Sequence, residues 1–166
     1  MHVRIWMRIN RAGDGVRIRF NLAESHVLEQ LLVELQDDLE PDALDPSDPV
    51  RQRLYPAGYT DVEAADAFRE LTESTLRQDR SERVGQCLAE LLTGRSLRRT
   101  EVTVDADGTQ RWLRVLNDMR LTVGTRLGIR EDDDYVLDEH DPHLQLRARY
   151  LWLTALQDTV VTTLMG

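Results

Sequence analysis

Apolar positions along this chain recur with two different periods, and each change of period marks an element. Val3, Ile5 and Met7 alternate with Arg4, Trp6 and Arg8, and Val16, Ile18 and Phe20 alternate with Arg17 and Arg19. A period of two is that of a strand. With turn chemistry from Asn10 to Gly15 between them, the runs predict a β-hairpin with one apolar face and one arginine face. Helical spacing follows. Asn21 stands as N-cap with Glu24 three residues on, close to a capping box, and Leu28, Leu31, Leu32, Leu35 and Leu39 form the stripe. Asp37, Asp38 and Glu40 precede Pro41, and acids are unfavourable at a helix C-terminus, so this end is expected to fray early. His26 falls on the polar side. Asp48 and Pro49 predict the N-cap and first position of a short helix through Leu54. The stretch Arg53 to Tyr59 reads as an ordered connector whose aromatics pack on neighbours.

Thr60 and Glu63 suggest a second capping box, opening a helix through Ala64, Phe68 and Leu71 towards Leu76. Another helix is expected from about Ser81, with Val84, Cys87, Leu88, Leu91 and Leu92 on one side and Gly94 just past its end. Asp79, Arg80 and Ser81 contain no strong breaker, so one bent rod is the alternative. Thr100, Val102 and Val104 alternate with Glu101 and Thr103, a third strand for the hairpin. Asp105 or Asp107 then caps the central helix, whose stripe is Trp112, Leu116, Met119, Val123 and Leu127, ending near Gly128. Beside that stripe lie Asn117, Arg120 and Gly124. Glycine inside a helix costs about 1 kcal/mol against alanine, so Gly124 is expected to let another backbone come close. An acidic loop from Glu131 to Pro142 leads to a last helix from about Leu144, with Leu153, Leu156, Val160 and Leu164 on its stripe. Tyr150 to Leu153 are consecutive apolar residues. Either this helix is the buried partner of the central one, or its second face meets another subunit. The predicted fold is α+β, mainly α. A single domain over 1–166 packs a helical bundle around Trp112–Leu127, with a small antiparallel sheet made by the N-terminal hairpin and the third strand.

Composition changes this picture chiefly by exclusion. A formal net charge of -9 argues against a broad electrostatic hold on DNA, RNA or an anionic membrane, although Arg8, Arg11, Arg17 and Arg19, near the start where few acids intervene, leave room for a local basic patch. Cys87 is the only thiol, so the chain can form no internal disulfide or multi-cysteine metal site. No apolar run approaches the roughly 20 residues of a membrane helix, and arginines interrupt every short apolar run near the start, unlike a signal peptide. A cytoplasmic protein is expected.

Candidate chemistry is sparse. Asp138, Glu139, His140, Asp141 and His143 are metal-ligand types, but their spacing matches no established site, and a solvated acidic loop is expected. The four histidines have no nucleophile elbow to serve, and Gly13 and Gly15 sit in a hairpin turn and not a phosphate loop. No enzyme, cofactor or metal is therefore predicted. Cys87 lies on an apolar stripe and packs there by default; it is also the candidate redox-sensitive thiol. Asn117, Asp118, Arg120 and Arg126 form the candidate polar cluster. They either pair with the connector around Tyr55 and Tyr59 or line a polar groove for a partner or small ligand. Structural pairing is the expectation, because buried polar groups usually satisfy one another.

Four blocks in order, DPVRQRLYPAGY from Asp48, ADAFRELTESTLR from Ala65, WLRVLNDMRLTVGTRLGI from Trp112 and YLWLTALQDTVVTTLM from Tyr150, resemble an actinobacterial family. It was long known only as a domain of unknown function, is often encoded beside the ClpS adaptor, and is named for the oxidative-stress transcriptional regulator AosR. Its signature LNDxRLxxGTRLG stands here from Leu116 to Gly128. The resemblance implies a non-enzymatic regulator of transcription under oxidative stress, acting through protein contacts with a sigma factor or RNA polymerase. The expected form is a homodimer. Alternatives are an accessory protein of ClpS-linked proteolysis or a small-ligand-binding module using the Asn117–Arg120 region. A two-cysteine switch cannot operate within this chain, so thiol sensing through Cys87 would be intermolecular or go through sulfenic acid. The acidic net charge favours protein contact over direct nucleic-acid reading.

Overall fold

The computed structural model describes the backbone of residues 6–55, 62–130 and 137–166, and side chains throughout these except at 62–66, 68 and 69. The elements run β1 (Arg8–Ala12), β2 (Gly15–Phe20), α1 (Leu22–Asp38), α2 (Pro49–Leu54), α3 (Val62–Thr93), β3 (Thr100–Val104), α4 (Ala106–Arg126) and α5 (Leu144–Met165). The result is the expected mainly helical α+β fold with a three-stranded antiparallel sheet. β2 is its central strand, with Ile18 opposite both Ile9 and Val102. Val16, Ile18, Phe20, Val102 and Val104 turn one face into the core.

Local chemistry fixes most boundaries. The Asn21 side chain accepts from the Glu24 amide at 2.7 Å while Glu24 accepts from the Asn21 amide at 3.0 Å, a complete capping box, worth about 1 kcal/mol. Asp48 caps α2 ahead of Pro49. Of the two candidate caps for α4 it is Asp105 that accepts, from the Gly108 amide at 2.8 Å. At the other end Ile129 N–H donates to the Gly124 carbonyl and Gly128 N–H to that of Thr125. This is a Schellman stop, with Gly128 at a φ of 68° that suits glycine.

The hairpin differs from its predicted position. β1 runs through Asn10 to Ala12, and the turn shrinks to Gly13 and Asp14, because Ala12 pairs directly with Gly15. Gly13, at a φ of 61°, supplies the first turn residue that such a two-residue loop requires. Val3 and Ile5 lie outside the described residues, as do Tyr59, Thr60 and 131–136 of the acidic loop; the side chains of Glu63, Ala64 and Phe68 do too. The two helices expected around Ser81 are one 32-residue helix, α3, since no Gly or Pro interrupts 77–83. Leu92, placed on one side with Val84, Cys87 and Leu91, is 44% exposed while those three are buried, and Leu71 is 71% exposed.

α4 packs against all four other helices and against β2 and β3, which makes it the hub the pattern predicted. Trp112, Leu116 and Met119 are buried there beside Leu28, Leu32, Leu54, Leu91 and Leu153. α5 lies between α4 and the sheet. Trp152 meets Phe20, ring centroids 6.2 Å apart, and donates to Glu24 Oε2 at 3.3 Å. The second apolar side of α5 is thus covered within the chain. α1 continues to Asp38, whose carboxylate receives Arg126 from α4.

Candidate functional site

The four polar residues singled out on α4 go to different places. Asp118 turns inward, with its side chain 9% exposed, and meets Arg80 of α3 at 3.4 Å between Oδ2 and Nε. Neither atom is aligned for a hydrogen bond. Arg80 also donates to the Leu54 carbonyl at 2.7 Å and lies over the Tyr55 ring at 5.7 Å. Asp118 therefore reaches the connector at Tyr55 through Arg80. Burial raises its carboxyl above the ordinary range despite the opposing pull of Arg80 and Arg83.

Arg120 leaves α4 on another side. Its Nη1 donates to Gln157 Oε1 of α5 at 2.5 Å, and its guanidinium lies 5.6 Å from the centre of the Tyr150 ring. Gly124, one turn on, makes room for that ring: a Cβ there would stand 3.1 Å from Tyr150 Cε2. The close neighbour is an aromatic side chain and not the backbone expected. Asn117 is exposed, and its side chain forms no hydrogen bond among the described residues. Arg126 pairs with Asp38 through two contacts of 2.8 Å. Asn117, Arg120 and Gly124 share a cavity of about 250 Å³ with Arg53 of α2, Arg130 and Tyr150. A polar recess therefore lies beside the central signature. Arg53 and Arg80 were not singled out in the sequence. Arg80 lies one turn before Val84 on the stripe continued by Cys87 and Leu91, a cation on a packed face.

Cys87 has no exposed surface. Burial first, then Glu90, pushes its thiol up to about 12 against the opposing influence of Arg111. Reactivity belongs to the thiolate, and the folded chain withholds it. Among the described residues no group of three His, Cys, Asp or Glu side chains is placed to hold a metal ion. Asp138 and Asp141 instead accept from the backbones of His140 and His143, and Asp141 pairs with Arg147.

The outer face of the sheet gathers charge of the other sign. Arg8, Arg19 and Glu101 face one another across the three strands, with Arg17 next to them. Arg19 donates to Glu101 at 2.8 Å, with Arg17 at 3.5 Å and Arg99 at 3.9 Å. The Glu101 carboxyl is held below its usual range, first by the hydrogen bond from Arg19. One carboxylate thus stands among four arginines, and the Arg17 and Arg99 side chains are 43% and 57% exposed.

Residues 6–164 match the model of a family described as a domain of unknown function, DUF2017. The chain belongs to the DUF2017 family. Curated relatives in Mycobacterium bovis and in two strains of Mycobacterium tuberculosis bear the name oxidative stress regulator AosR. Each is 28% identical over 200 aligned positions, covering 99% of this chain and 89% of the relative. No solved structure matches. The DUF2017 match takes in the whole described fold except Met165 and Gly166, and no described helix is long and apolar enough to cross a membrane.

Proposed function

We propose that this DUF2017 chain is a non-enzymatic cytoplasmic regulator that works by binding another protein in the response to oxidative stress. The observation that carries the contact mechanism is the sheet's outer face, where Arg8, Arg17, Arg19 and Arg99 surround Glu101 on a molecule of net charge -9. Such a face attracts an acidic protein surface while the rest of the molecule repels it. The name borne by the mycobacterial relatives supports the stress-response setting. A component of the transcription machinery, a sigma factor or RNA polymerase, is the partner this reading favours. Self-association is a separate element, supported by the exposed apolar side chains of Leu71 and Leu97 and no longer by α5; sedimentation velocity reads it directly.

The test is affinity capture from oxidant-treated cells with the wild-type chain and with Arg17→Gln/Arg19→Gln, both checked by circular dichroism. Wild type should retain a transcription component, and the double variant should lose most of it, more so at low salt. Equal retention by both would remove the sheet as the contact face. Recovery of ClpS or its protease in place of transcription proteins would move the protein to the proteolytic alternative.

A further inference from the structure

The chain between α3 and β3 is a short loop fastened at its base and across its middle. Arg95 pairs with Thr100 in an antiparallel bridge, and the Glu101 amide donates to the Gly94 carbonyl at 3.0 Å. The Ser96 amide and hydroxyl both donate to the Arg99 carbonyl, at 2.9 and 2.8 Å. The Arg95 side chain ties this base to α1, donating to Ser25 Oγ at 3.1 Å and to Glu29 Oε2 at 2.9 Å. Turns are built mostly from Gly, Pro, Asn, Asp and Ser, so the connection itself calls for no apolar residue. Yet Leu97 stands at the tip with 96% of its surface exposed, more than any other large apolar side chain among the described residues.

Singly exposed leucines are common and most need no explanation; the setting of this one is different. Its loop is held in place before any partner arrives, so docking costs it little freedom. The next two residues, Arg98 and Arg99, are exposed cations. Arg99 lies 3.9 Å from Glu101, the carboxylate that Arg17 and Arg19 also approach, which joins the tip to the arginine face of the sheet. Within the strands that face carries Arg8, Asn10, Arg17, Arg19, Glu101 and Thr103 and no large apolar side chain. A stable protein contact combines a polar rim with a desolvated apolar centre. The rim charges govern encounter and salt dependence, and the buried centre governs release. The sheet supplies the first and Leu97 the second.

From this we infer that residues 96–99 are the anchor of the protein-binding face: Leu97 enters an apolar pocket on a partner protein, and Arg98 and Arg99 meet a rim of Asp and Glu around it. The inference rests on the reading of the sheet as a contact face and adds where that contact is centred and what the partner must offer. Charge selects the occupant. Arg98 and Arg99 repel the same loop of a second copy, since like charges brought together across an interface are costly, and attract an acidic rim.

The experiment places the photo-reactive p-benzoylphenylalanine at position 97 of the full chain and, as a control, at position 158, where Asp158 is exposed on α5. Irradiation in oxidant-treated cells, read by mass spectrometry, should join position 97, and not 158, to apolar residues flanked by acids on one protein. That protein, purified, becomes the probe for binding kinetics with wild type, Leu97→Ser and Arg17→Gln/Arg19→Gln. Leu97→Ser, which has no packing to lose, should speed dissociation about tenfold or more, the worth of one leucine returned to water, and leave the salt dependence unchanged. The arginine variant should slow association and flatten its salt dependence. Cross-links to a second copy, to scattered sites or to nothing above the control would overturn the anchor, as would unaltered dissociation of Leu97→Ser. The two readings part in the same series. Binding lost with the arginines but kept by Leu97→Ser removes the anchor and leaves the sheet face; the converse removes the sheet face and leaves the tip.

Discussion

Replacing Asp118 by asparagine and Arg80 by methionine should differ in severity, although the two side chains form one ion pair. They meet at 3.4 Å with side-chain exposures of 9% and 17%, and neither facing atom makes a hydrogen bond. Arg80 has other partners, the Leu54 carbonyl at 2.7 Å and the Tyr55 ring at 5.7 Å. Asp118 has little beyond Arg80 and Arg83, and its burial outweighs both in raising the carboxyl pKa. Losing Arg80 orphans a carbonyl and leaves a buried carboxylate with Arg83 alone. Removing one partner of a buried pair costs about 3–5 kcal/mol. Losing the charge of Asp118 relieves a desolvated group and leaves Arg80 still satisfied, so Asp118→Asn should stay within about 1 kcal/mol of wild type. Urea titration at neutral pH reads both. With a slope of about 1–3 kcal/mol/M, Arg80→Met should lower the midpoint by roughly 1–5 M, and Asp118→Asn should barely move it. The pH dependence has a definite sign. A carboxyl whose folded pKa is raised favours the folded chain while protonated, and that advantage is lost as pH rises through the folded value. Asp118→Asn should therefore gain on wild type between acid and neutral pH. An asparagine variant as damaged as Arg80→Met, or one that loses ground as pH rises, would refute this account of the pair.

Cys87 should react with an aromatic disulfide reagent orders of magnitude more slowly in the native chain than in urea, since burial holds the thiol protonated; rapid native labelling would contradict that. Gly94→Ala should cost about 2 kcal/mol or more in urea titration, because its Cβ would stand 2.0 Å from the Glu101 carbonyl oxygen. Glu101, Asp45 and Asp141 are all held below the usual carboxyl range. Their contribution is present above the unfolded pKa and lost as pH falls through the folded values, so Glu101→Gln should flatten the acid side of the stability profile. Arg126→Gln should change global stability by less than about 1 kcal/mol yet speed amide exchange in the last turn of α1, where Asp38 loses its partner.

What could be read from the sequence was what neighbours in the chain decide. The Asn21–Glu24 box, the Asp48–Pro49 start, the alternation of β3 and the stripe of α4 all depend on residues within a turn of each other. Destinations of long side chains depend on what the fold brings opposite. Arg126 was legible as polar, but its partner Asp38 lies 88 residues away. That distant ion pair gives the acidic end of α1 a cationic partner that local rules do not foresee. Gly124 announced a close approach, and only the placement of α5 made Tyr150 the approaching group. Arg80 could have been found, since its helical register with Val84 and Cys87 put a cation on a packed face that required an anion. The 250 Å³ recess had no local signal: Arg53, Arg120 and Arg130 come from α2, α4 and the segment after it.

All 21 cationic side chains are arginine, and their placement separates internal work from external. Arg51, Arg80, Arg95, Arg111 and Arg126 join one element to another and are consumed by the fold. Others, Arg17, Arg19 and Arg99, gather around Glu101 on the sheet's outer face. On a molecule of net charge -9, an approaching anion is repelled over most of the surface and attracted at this face. Orientation is therefore selected before contact. Such steering is lost as salt shortens the screening length. Binding at the broad, exposed sheet face should therefore depend steeply on ionic strength.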